Sequence, residues 1–451
     1  MTEADNVVWR KSSTSKFFLF GVPKFGTSIL IGFADFALAA LYIQAFQVPA
    51  FLVGFALAMG KLTIAASQFF FGWISDAKYT RWGRRKPYLI ILSPILGVSF
   101  FFLLLPSIMI NINDKNAVFL WLLILYQIFN ISYGVTSPYG SWMVEQFSSD
   151  ERPRASQYQN TIGMLGSGVM SVFSIIILTG IITQIQNNPN VIPFEYSLSV
   201  MIFGIILVVL FYLVTFLMPT EPHFKIDSNI LQNLTIILKN KNYLFVNGMM
   251  GIASIAWIIV GTLLLQYMQV VLVFSLTTYT IAAALFLIGI LVFLYIWRKL
   301  VHKFGKKQSI LYIFLVAIIF LPFSLIGLIP SGFLFIFGLI FVVGLGGCLA
   351  GWYLIPAIAI ADIAEDDERK TGELRAGIYT GFPSIILNLF QSVGLLIMGT
   401  ILELPKITVG TTIFSLGYVI WGPICSLILI GAYLYTRKFV QLDFEWEKKH
   451  D

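Results

Sequence analysis

Residues 76 to 87 read Asp76-Ala77-Lys78-Tyr79-Thr80-Arg81-Trp82-Gly83-Arg84-Arg85-Lys86-Pro87, a short turn that carries five Lys or Arg. One long apolar run precedes this turn and another follows it. Such a density of charge is too costly to place in hydrocarbon, and the runs are too apolar to stay in water. The turn therefore lies at a membrane surface, and the positive-inside rule assigns it to the cytoplasmic face.

The composition of the whole chain indicates a membrane protein. Of its 451 residues, 58% are hydrophobic and 11% are charged, whereas soluble proteins carry about 25% charged residues. The net charge of +7 does not predict a nucleic-acid partner, because the bases are spread over short loops. The sequence shows no P-loop, no trustworthy catalytic triad and no metal-ligand spacing, so we predict a protein that is not an enzyme and has no cofactor or metal.

Twelve apolar runs are long enough to cross a bilayer, which takes about 20 residues. All but four of the 29 Lys and Arg lie on one side of these runs or in the tails, and the exceptions are Lys24, Lys61, Lys115 and Lys406. This asymmetry predicts a multi-pass protein of the cell membrane with both termini in the cytoplasm. The runs cover residues 17–46, 50–74, 88–110, 117–145, 155–184, 195–218, 243–270, 275–297, 309–330, 332–361, 377–402 and 411–436.

Two motifs occur twice, about half the chain apart. Gly83-Arg84-Arg85-Lys86 follows run 2, and Gly305-Lys306-Lys307-Gln308 follows run 8. Glu145-x4-Asp150-Glu151-Arg152 ends run 4, and Asp362-x4-Asp367-Glu368-Arg369 ends run 10. Two six-helix halves in the same orientation are the plan of major facilitator transporters.

The fold prediction is therefore an all-α membrane protein with twelve transmembrane helices in two pseudo-symmetric halves, the major facilitator fold. We expect an N-terminal half at 1–218, a cytoplasmic linker at 219–242 and a C-terminal half with a cytoplasmic tail at 243–451. Within the linker, residues 228–238 have the pattern of a short amphipathic surface helix.

These motifs resemble the glycoside–pentoside–hexuronide:cation symporter family, the melibiose permease-like branch of the major facilitator superfamily. The resemblance covers nearly the whole chain and implies uptake of a sugar or glycoside coupled to sodium or a proton. The matching positions are Asp76, Arg81, Gly83 and Pro87 after run 2; Pro138, Tyr139, Glu145, Glu151 and Arg152 around the end of run 4; and Asp362, Asp367, Glu368, Lys370, Thr371, Gly372, Arg375, Gly377, Tyr379 and Gly381 after run 10.

The chain departs from that family at the charged positions that the resemblance would place in the membrane. The slots for sodium-binding carboxylates read Ile64, Gln68 and Thr136. Sodium needs hard, preferably charged oxygen ligands, so we predict a proton rather than sodium as the coupling ion. The slot for a sugar-binding carboxylate on helix 1 reads Ser28, the basic slot on helix 5 reads Asn160, and the lysine slot on helix 11 reads Asn388. These uncharged residues favour a neutral solute.

Asp35 in run 1 and Lys61 in run 2 are charges inside apolar runs. Both lie roughly 16–18 Å below the outer end of their helices at 1.5 Å per residue. A lone charge at this depth costs roughly 2.5–3.5 kcal/mol, so such groups pair or line a wet cavity. We predict that the two pair or share the central cavity, and that protonation of Asp35 releases Lys61. The alternative is a static ion pair that only joins the two helices.

Charged residues at the cytoplasmic ends of the runs are candidates for an alternating-access gate that forms and breaks as the halves rock. The alternative is a set of solvated loops in which exposed pairs contribute about 0–1 kcal/mol. The predicted gate residues are Asp76, Arg81, Arg84, Arg85, Glu145, Arg152, Asp362 and Arg369.

Aromatic rings can stack on the apolar face of a sugar, while amides bond its hydroxyls. Most intramembrane aromatics are nevertheless packing or interface residues. The predicted solute-binding residues are Tyr42, Gln127, Asn130, Trp257, Gln266, Trp352, Asn388 and Gln391.

These observations predict a secondary transporter, a proton-coupled symporter of a neutral sugar or glycoside, that works as a monomer in the lipid bilayer. Two other transporter hypotheses stay open: a cation-independent facilitator of sugars, and a carrier of an amphiphilic or lipid-like solute. An intramembrane enzyme or a receptor is less well supported, since catalytic groups are few and a receptor needs no repeat.

Overall fold

A computed structural model of the protein describes residues 12–148, 151–188, 191–220, 235, 238–329, 334–371 and 383–444. Helices make up most of this part of the chain, and twelve of them follow the twelve apolar runs in order. They are α1 (Thr14–Gly21 and Pro23–Phe36), α2 (Ala50–Ala77), α3 (Lys86–Leu104), α4 (Lys115–Tyr133 and Thr136–Gln146), α5 (Arg152–Ile176), α6 (Phe194–Leu217), α7 (Lys241–Val270), α8 (Leu276–Phe304), α9 (Lys306–Phe320), α10 (Leu334–Thr371), α11 (Pro383–Leu402) and α12 (Gly417–Phe439).

Three helices change their winding near one end. A short helix, Leu38–Ala40, and a π-helical turn, Leu41–Ala45, extend α1. Another π-helical turn, Ile177–Ile181, continues α5 into Ile182–Asn187. A 3-10 helix, Leu321–Leu328, continues α9.

Helix α5 differs from its neighbours in polarity. Eleven helices in the described part of the chain are long and apolar enough to cross a membrane, and α5 is not one of them. The residues Ser156, Asn160, Ser167 and Ser171 share one face of α5 and are exposed or half-buried. A polar face on a helix among spanning helices is suited to lining a water-filled cavity.

The chain divides into two compact units. The first comprises residues 1–48 and 59–229, and the second comprises residues 49–58 and 230–451. Most of the predicted linker, including nearly all of the predicted amphipathic helix at 228–238, lies outside the described residues, so both stay predictions.

The repeated glycine has the same backbone conformation in both units. Gly83, between α2 and α3, has φ 95°, and Gly305, between α8 and α9, has φ 80°. Other residues rarely adopt these values. In the first unit, Thr80 and Gly83 exchange two backbone hydrogen bonds of 3.0 and 2.9 Å, and the Thr80 hydroxyl donates to the Gly83 carbonyl. The glycine is therefore what closes the basic turn.

A short antiparallel hairpin joins α11 to α12 and was not predicted. Its strands are β1 (Lys406–Val409) and β2 (Thr412–Ser415), and Val409 pairs with Thr412. The prediction that run 12 begins at residue 411 was wrong, because α12 begins at Gly417. Gly410, with φ 60°, allows the chain to reverse between two segments rich in β-branched residues.

Glycines allow α1 and α5 to pack closely. A Cβ atom on Gly166 of α5 would lie 3.1 Å from the Phe25 Cα atom of α1 and in collision with the Phe25 carbonyl oxygen. On Gly163, a Cβ would contact the side chains of Lys24 and Ser28 at 3.0 and 3.1 Å. Small residues of this kind let spanning helices gain van der Waals contact.

We expect Gly166→Ala to destabilise the protein by about 1–3 kcal/mol, because the backbone of Phe25 cannot move aside without separating α1 from α5. The matched control is Gly168→Ala, two residues along α5, where an added Cβ meets nothing within 4 Å. The measurement is the unfolding temperature of each variant in detergent. Equal unfolding temperatures for the two variants would contradict this account of the interface.

Candidate functional site

The structure brings Asp35 and Lys61 together in the first unit. The Lys61 Nζ atom donates a 2.7 Å hydrogen bond to Asp35 Oδ1. The Lys61 side chain is 5% exposed, whereas that of Asp35 is 26% exposed. The carboxylate is therefore the member of the pair that solvent reaches. Its predicted role in coupling stays a prediction.

Lys61 is placed by the close approach of α2 to α4. Gly60 has no side chain, and the space a Cβ would need is occupied by the ring of Tyr126 and the amide of Asn130. Tyr126 in turn stacks on Phe129. This packing fixes the α2 backbone beside the ion pair.

Polar side chains connect α2 to α4 along the next two turns. The Thr63 hydroxyl donates to the Gln127 Oε1 atom. The Ser67 hydroxyl donates to the Asn130 carbonyl at 2.9 Å. Gln127 Nε2 and Asn130 Oδ1 are buried without a hydrogen-bond partner among the described residues. Such atoms are costly to leave unpaired, so a water or a solute hydroxyl that reached them would gain a hydrogen bond.

Two of the slots at which the related symporters carry carboxylates meet in space. Gln68 Nε2 donates a 3.1 Å hydrogen bond to the Thr136 hydroxyl. The third slot, Ile64, is buried. Two slots that the sequence resemblance assigns to cation-binding carboxylates are therefore occupied here by a neutral pair of side chains that bond to each other.

Lys24 is a site candidate that the sequence analysis did not single out. Residues Lys24, Ser28, Ile31 and Asp35 follow each other at spacings of four, three and four along α1, and all are half-buried. Lys24 has no ion-pair partner among the residues that the structure describes. The signal was present in the sequence, since Lys24 lies about three helical turns from Asp35.

The predicted binding residues of the second unit divide into two groups. Trp257 stacks on Trp352 with ring centroids 6.1 Å apart, and the buried Trp257 indole N–H has no partner among the described residues. Gln391 is half-buried and also lacks a partner in that part of the chain. By contrast, Gln266 is fully buried and accepts a 3.0 Å hydrogen bond from Tyr418. Asn388 donates to the Ser384 carbonyl at 2.8 Å.

Tyr42 has a packing role in this structure. Its side chain is fully buried, and its hydroxyl donates a 2.6 Å hydrogen bond to the Leu103 carbonyl of α3. The donor that was predicted to reach a solute is therefore already satisfied within the first unit.

Arg85 is the centre of the charge cluster at the basic turn. It donates to Glu145 Oε1 from Nε at 3.0 Å and from Nη2 at 2.6 Å, and to the Ser75 hydroxyl at 2.6 Å. Asp76 forms a further ion pair with Arg85. Arg85 and Glu145 are both buried, whereas Arg81 is exposed and lies over the Trp82 ring.

Two other predicted gate arginines of the first unit are partly or fully covered. Arg84 is buried and lies over the Tyr79 ring, and Arg152 donates to the Phe147 carbonyl at 3.3 Å. Next to Arg152, the Glu151 carboxylate accepts hydrogen bonds from the Ser12 N–H and hydroxyl at 2.6 and 2.8 Å. Burial alone raises the pKa of Glu151, but these bonds and the nearby Lys16 charge outweigh it, so the net pKa is lowered.

The second unit repeats this arrangement. Lys306, directly after the repeated glycine, forms a 2.6 Å ion pair with Asp362 in the C-terminal part of α10. Arg369 pairs with Glu365 one turn earlier on the same helix. Each of these ion pairs joins residues of one unit. The predicted gate stays a prediction, and the matched motif residues from Gly372 to Gly381 lie outside the described part.

Comparison with known proteins places the chain in a family. Residues 19–437 match the family described as MFS/sugar transport protein. The chain belongs to this family. The resemblance drawn from the sequence motifs is therefore confirmed, and the protein is a multi-pass membrane transporter.

Individual relatives agree with this assignment. An uncharacterized symporter of Synechocystis sp. is 23% identical over 478 aligned residues, which cover 85% of this chain and 84% of that protein. A D-xylose–proton symporter has a similar structure, with a TM-score of 0.71 at 14% identity and coverage of 94% and 98% of the two chains. A nucleoside transporter gives 0.62 at 15% identity, with coverage of 95% and 100%. These likenesses confirm the predicted twelve-helix major facilitator fold.

We expect Lys61→Met and Asp35→Asn each to lower the unfolding temperature, because each leaves one charge of the pair without its partner. The double variant should be more stable than the sum of the two losses predicts, since it leaves no charge unpaired. The measurement is a double-mutant cycle on thermal unfolding in detergent. Additive losses would show that the two side chains do not stabilise each other.

We also expect Arg85→Gln to destabilise the first unit by about 3–5 kcal/mol, because the buried Glu145 carboxylate would lose the charge and both hydrogen bonds of the Arg85 guanidinium. Arg81→Gln, which removes an exposed arginine from the same turn, is the control and should cost less than about 1 kcal/mol. Thermal unfolding of the purified variants measures both changes. A similar loss in both variants would contradict a specific role for the Arg85–Glu145 contact.

Proposed function

We propose that this protein is a proton-coupled symporter of a neutral sugar or glycoside and that it works by alternating access. The observation that carries the proposal is the contact between Lys61 and Asp35. It supplies a titratable carboxylate within the membrane, beside the unpaired polar atoms of Gln127 and the neighbouring Asn130. The relative named as a symporter supports coupled transport in this family.

The proposed coupling follows from the charges of the pair. With Asp35 ionised, its carboxylate holds the Lys61 ammonium. A proton on Asp35 removes the negative charge and with it most of the attraction, so the ammonium becomes free to donate to a solute hydroxyl. Because solute then stabilises the protonated state, and protonation favours solute binding, the two events are linked.

The neutral pair of Gln68 and Thr136 favours a proton over sodium. Sodium sites need several hard oxygen ligands with enough negative charge to compensate for dehydration, and this pair provides no charge. The same observation favours the second hypothesis, a sugar facilitator without a coupling ion. The hypothesis of an amphiphilic solute rests on the small number of charges in the spanning helices.

The side chains that we propose bind the solute differ between the two units. In the first unit they are amides and the ion pair, which suit hydroxyl groups. In the second unit the stacked Trp257 and Trp352 offer an aromatic face, and the unpaired indole N–H offers a donor. Such a combination fits the apolar face and polar edge of a sugar ring. We propose the cell membrane as its location, with both termini cytoplasmic, and a monomer as the functional form.

The test is uptake into proteoliposomes, with a panel of sugars and with pH and sodium gradients imposed separately. We expect a pH gradient to drive accumulation in the wild type. Asp35→Asn should abolish accumulation but retain exchange of internal for external solute, because the binding site survives and the titratable group does not. Asp114→Asn is the control, since Asp114 caps α4 outside the membrane and Asn caps equally well.

Other results of this uptake experiment would favour one of the other hypotheses or contradict the coupling proposal. Uptake that reaches equilibrium but never accumulates under either gradient would favour the facilitator. Accumulation driven by sodium alone, or full proton-driven accumulation by Asp35→Asn, would contradict the coupling proposal. Binding of amphiphiles without uptake of any sugar would favour the third hypothesis.

A further inference from the structure

A cavity of about 620 Å³ opens in the second unit beside the basic end of α8. Arg298, Val301 and His302 of α8 form one wall. Leu354 and Ile358 of α10 form another, and Phe444 of the segment after α12 closes one side. The cavity therefore combines basic groups with an apolar lining.

The bases at this end of α8 fall into two sets. Arg298 and His302 are four residues apart, share a face and line the cavity. Neither has an ion pair or hydrogen bond with any residue in the described part of the chain. The next residues along α8, Lys299 and Lys303, form the second set. They lie over the rings of Tyr295 and Phe304. Arg298 therefore presents to the cavity a positive charge that has no ion-pair partner in the described part of the chain, whereas the two lysines do not line the cavity.

The other charged groups at the cavity already compensate each other. Lys306 pairs with Asp362. Asp443 accepts a 2.8 Å hydrogen bond from the Lys306 backbone N–H, at the positive end of α9. Arg298 is therefore the strong cation of the described lining that still lacks an anion.

The helix face that leads to Arg298 is apolar and unpacked. Leu291 and Leu287 precede Arg298 by seven and eleven residues, on the same side of α8, and they are 57% and 40% exposed. In the second unit, α8 is the candidate spanning helix with the smallest buried share, 17% of its apolar window. A hydrocarbon chain can lie along this face and end at the guanidinium.

We propose that this cavity binds the headgroup of an anionic phospholipid, with an acyl chain along the exposed face of α8. A phosphodiester offers oxygens that a guanidinium can bind in a bidentate, charge-assisted way. Basic groups at the cytoplasmic ends of spanning helices are well placed for anionic headgroups. A free phosphate would use the bases but not the apolar face, which is why a lipid fits better. The proposal does not depend on the identity of the transported solute.

Native mass spectrometry of the purified full chain tests this site, with phosphatidylglycerol and phosphatidylcholine titrated separately after delipidation. We expect one phosphatidylglycerol to bind more tightly than any phosphatidylcholine. Arg298→Gln should weaken that binding by roughly fivefold, the loss of one cation at a membrane surface. Lys299→Gln removes the same charge one residue away, outside the cavity, and should leave the binding nearly unchanged.

Three outcomes would overturn the proposal. Equal phosphatidylglycerol affinity in the wild type and Arg298→Gln would show that the cavity does not hold the headgroup. An equal loss in Lys299→Gln would show a general attraction to surface charge. Displacement of the lipid by glycerol phosphate at matching concentration would show a site for a soluble anion. Since Arg298 is an exposed side chain, an unchanged unfolding temperature for Arg298→Gln excludes misfolding as the cause of a loss.

Discussion

Hydrocarbon offers no hydrogen bonds, so every polar group inside a spanning helix must find its partner within the protein or in trapped water. In the first unit this constraint organises the middle of the bundle. Lys61 pairs with Asp35, Gln68 donates a hydrogen bond to Thr136, and Ser67 donates one to the backbone of α4. In this part of the described chain, Gln127 Nε2 and Asn130 Oδ1 stay buried without a hydrogen-bond partner, three residues apart on α4. Unpaired groups of this kind can still form a hydrogen bond with a solute.

Charged groups at the ends of the helices are paired as well, and the two units share one arrangement of a glycine turn and an ion pair. A glycine with positive φ turns the chain, a base follows it, and an acid at the end of the fourth helix of the half receives that base. In the first unit the pair is Arg85 with Glu145, and in the second it is Lys306 with Asp362. The repeated motifs of the sequence therefore correspond to a shared local geometry in the two units.

The sequence predicted the features that depend only on the position of a residue along its helix. Hydropathy located the twelve helices, and the fixed rise per residue placed Asp35 and Lys61 at one depth.

Features that depend on packing were harder to predict. The direction of the Tyr42 side chain is set by α3, and Gln266 is committed to Tyr418, so neither contact could be inferred from its own helix. The hairpin before α12 was missed because its apolar strands continue into the helix without a change in composition. The ion pairs that Arg85 forms with Asp76 and Glu145 lie within the first unit, and its predicted role in a gate stays a prediction.

The polarity of α5 has a consequence for how the protein is made. Membrane insertion of a nascent segment depends on its own hydrophobicity, and a helix that carries serines and an asparagine along one face is a poor substrate for the insertion machinery. Its glycines fit against α1, so α1 provides the surface that accepts it. We therefore expect stable insertion of α5 to rely on its contact with α1, so that a substitution which loosens this contact lowers the yield of inserted protein.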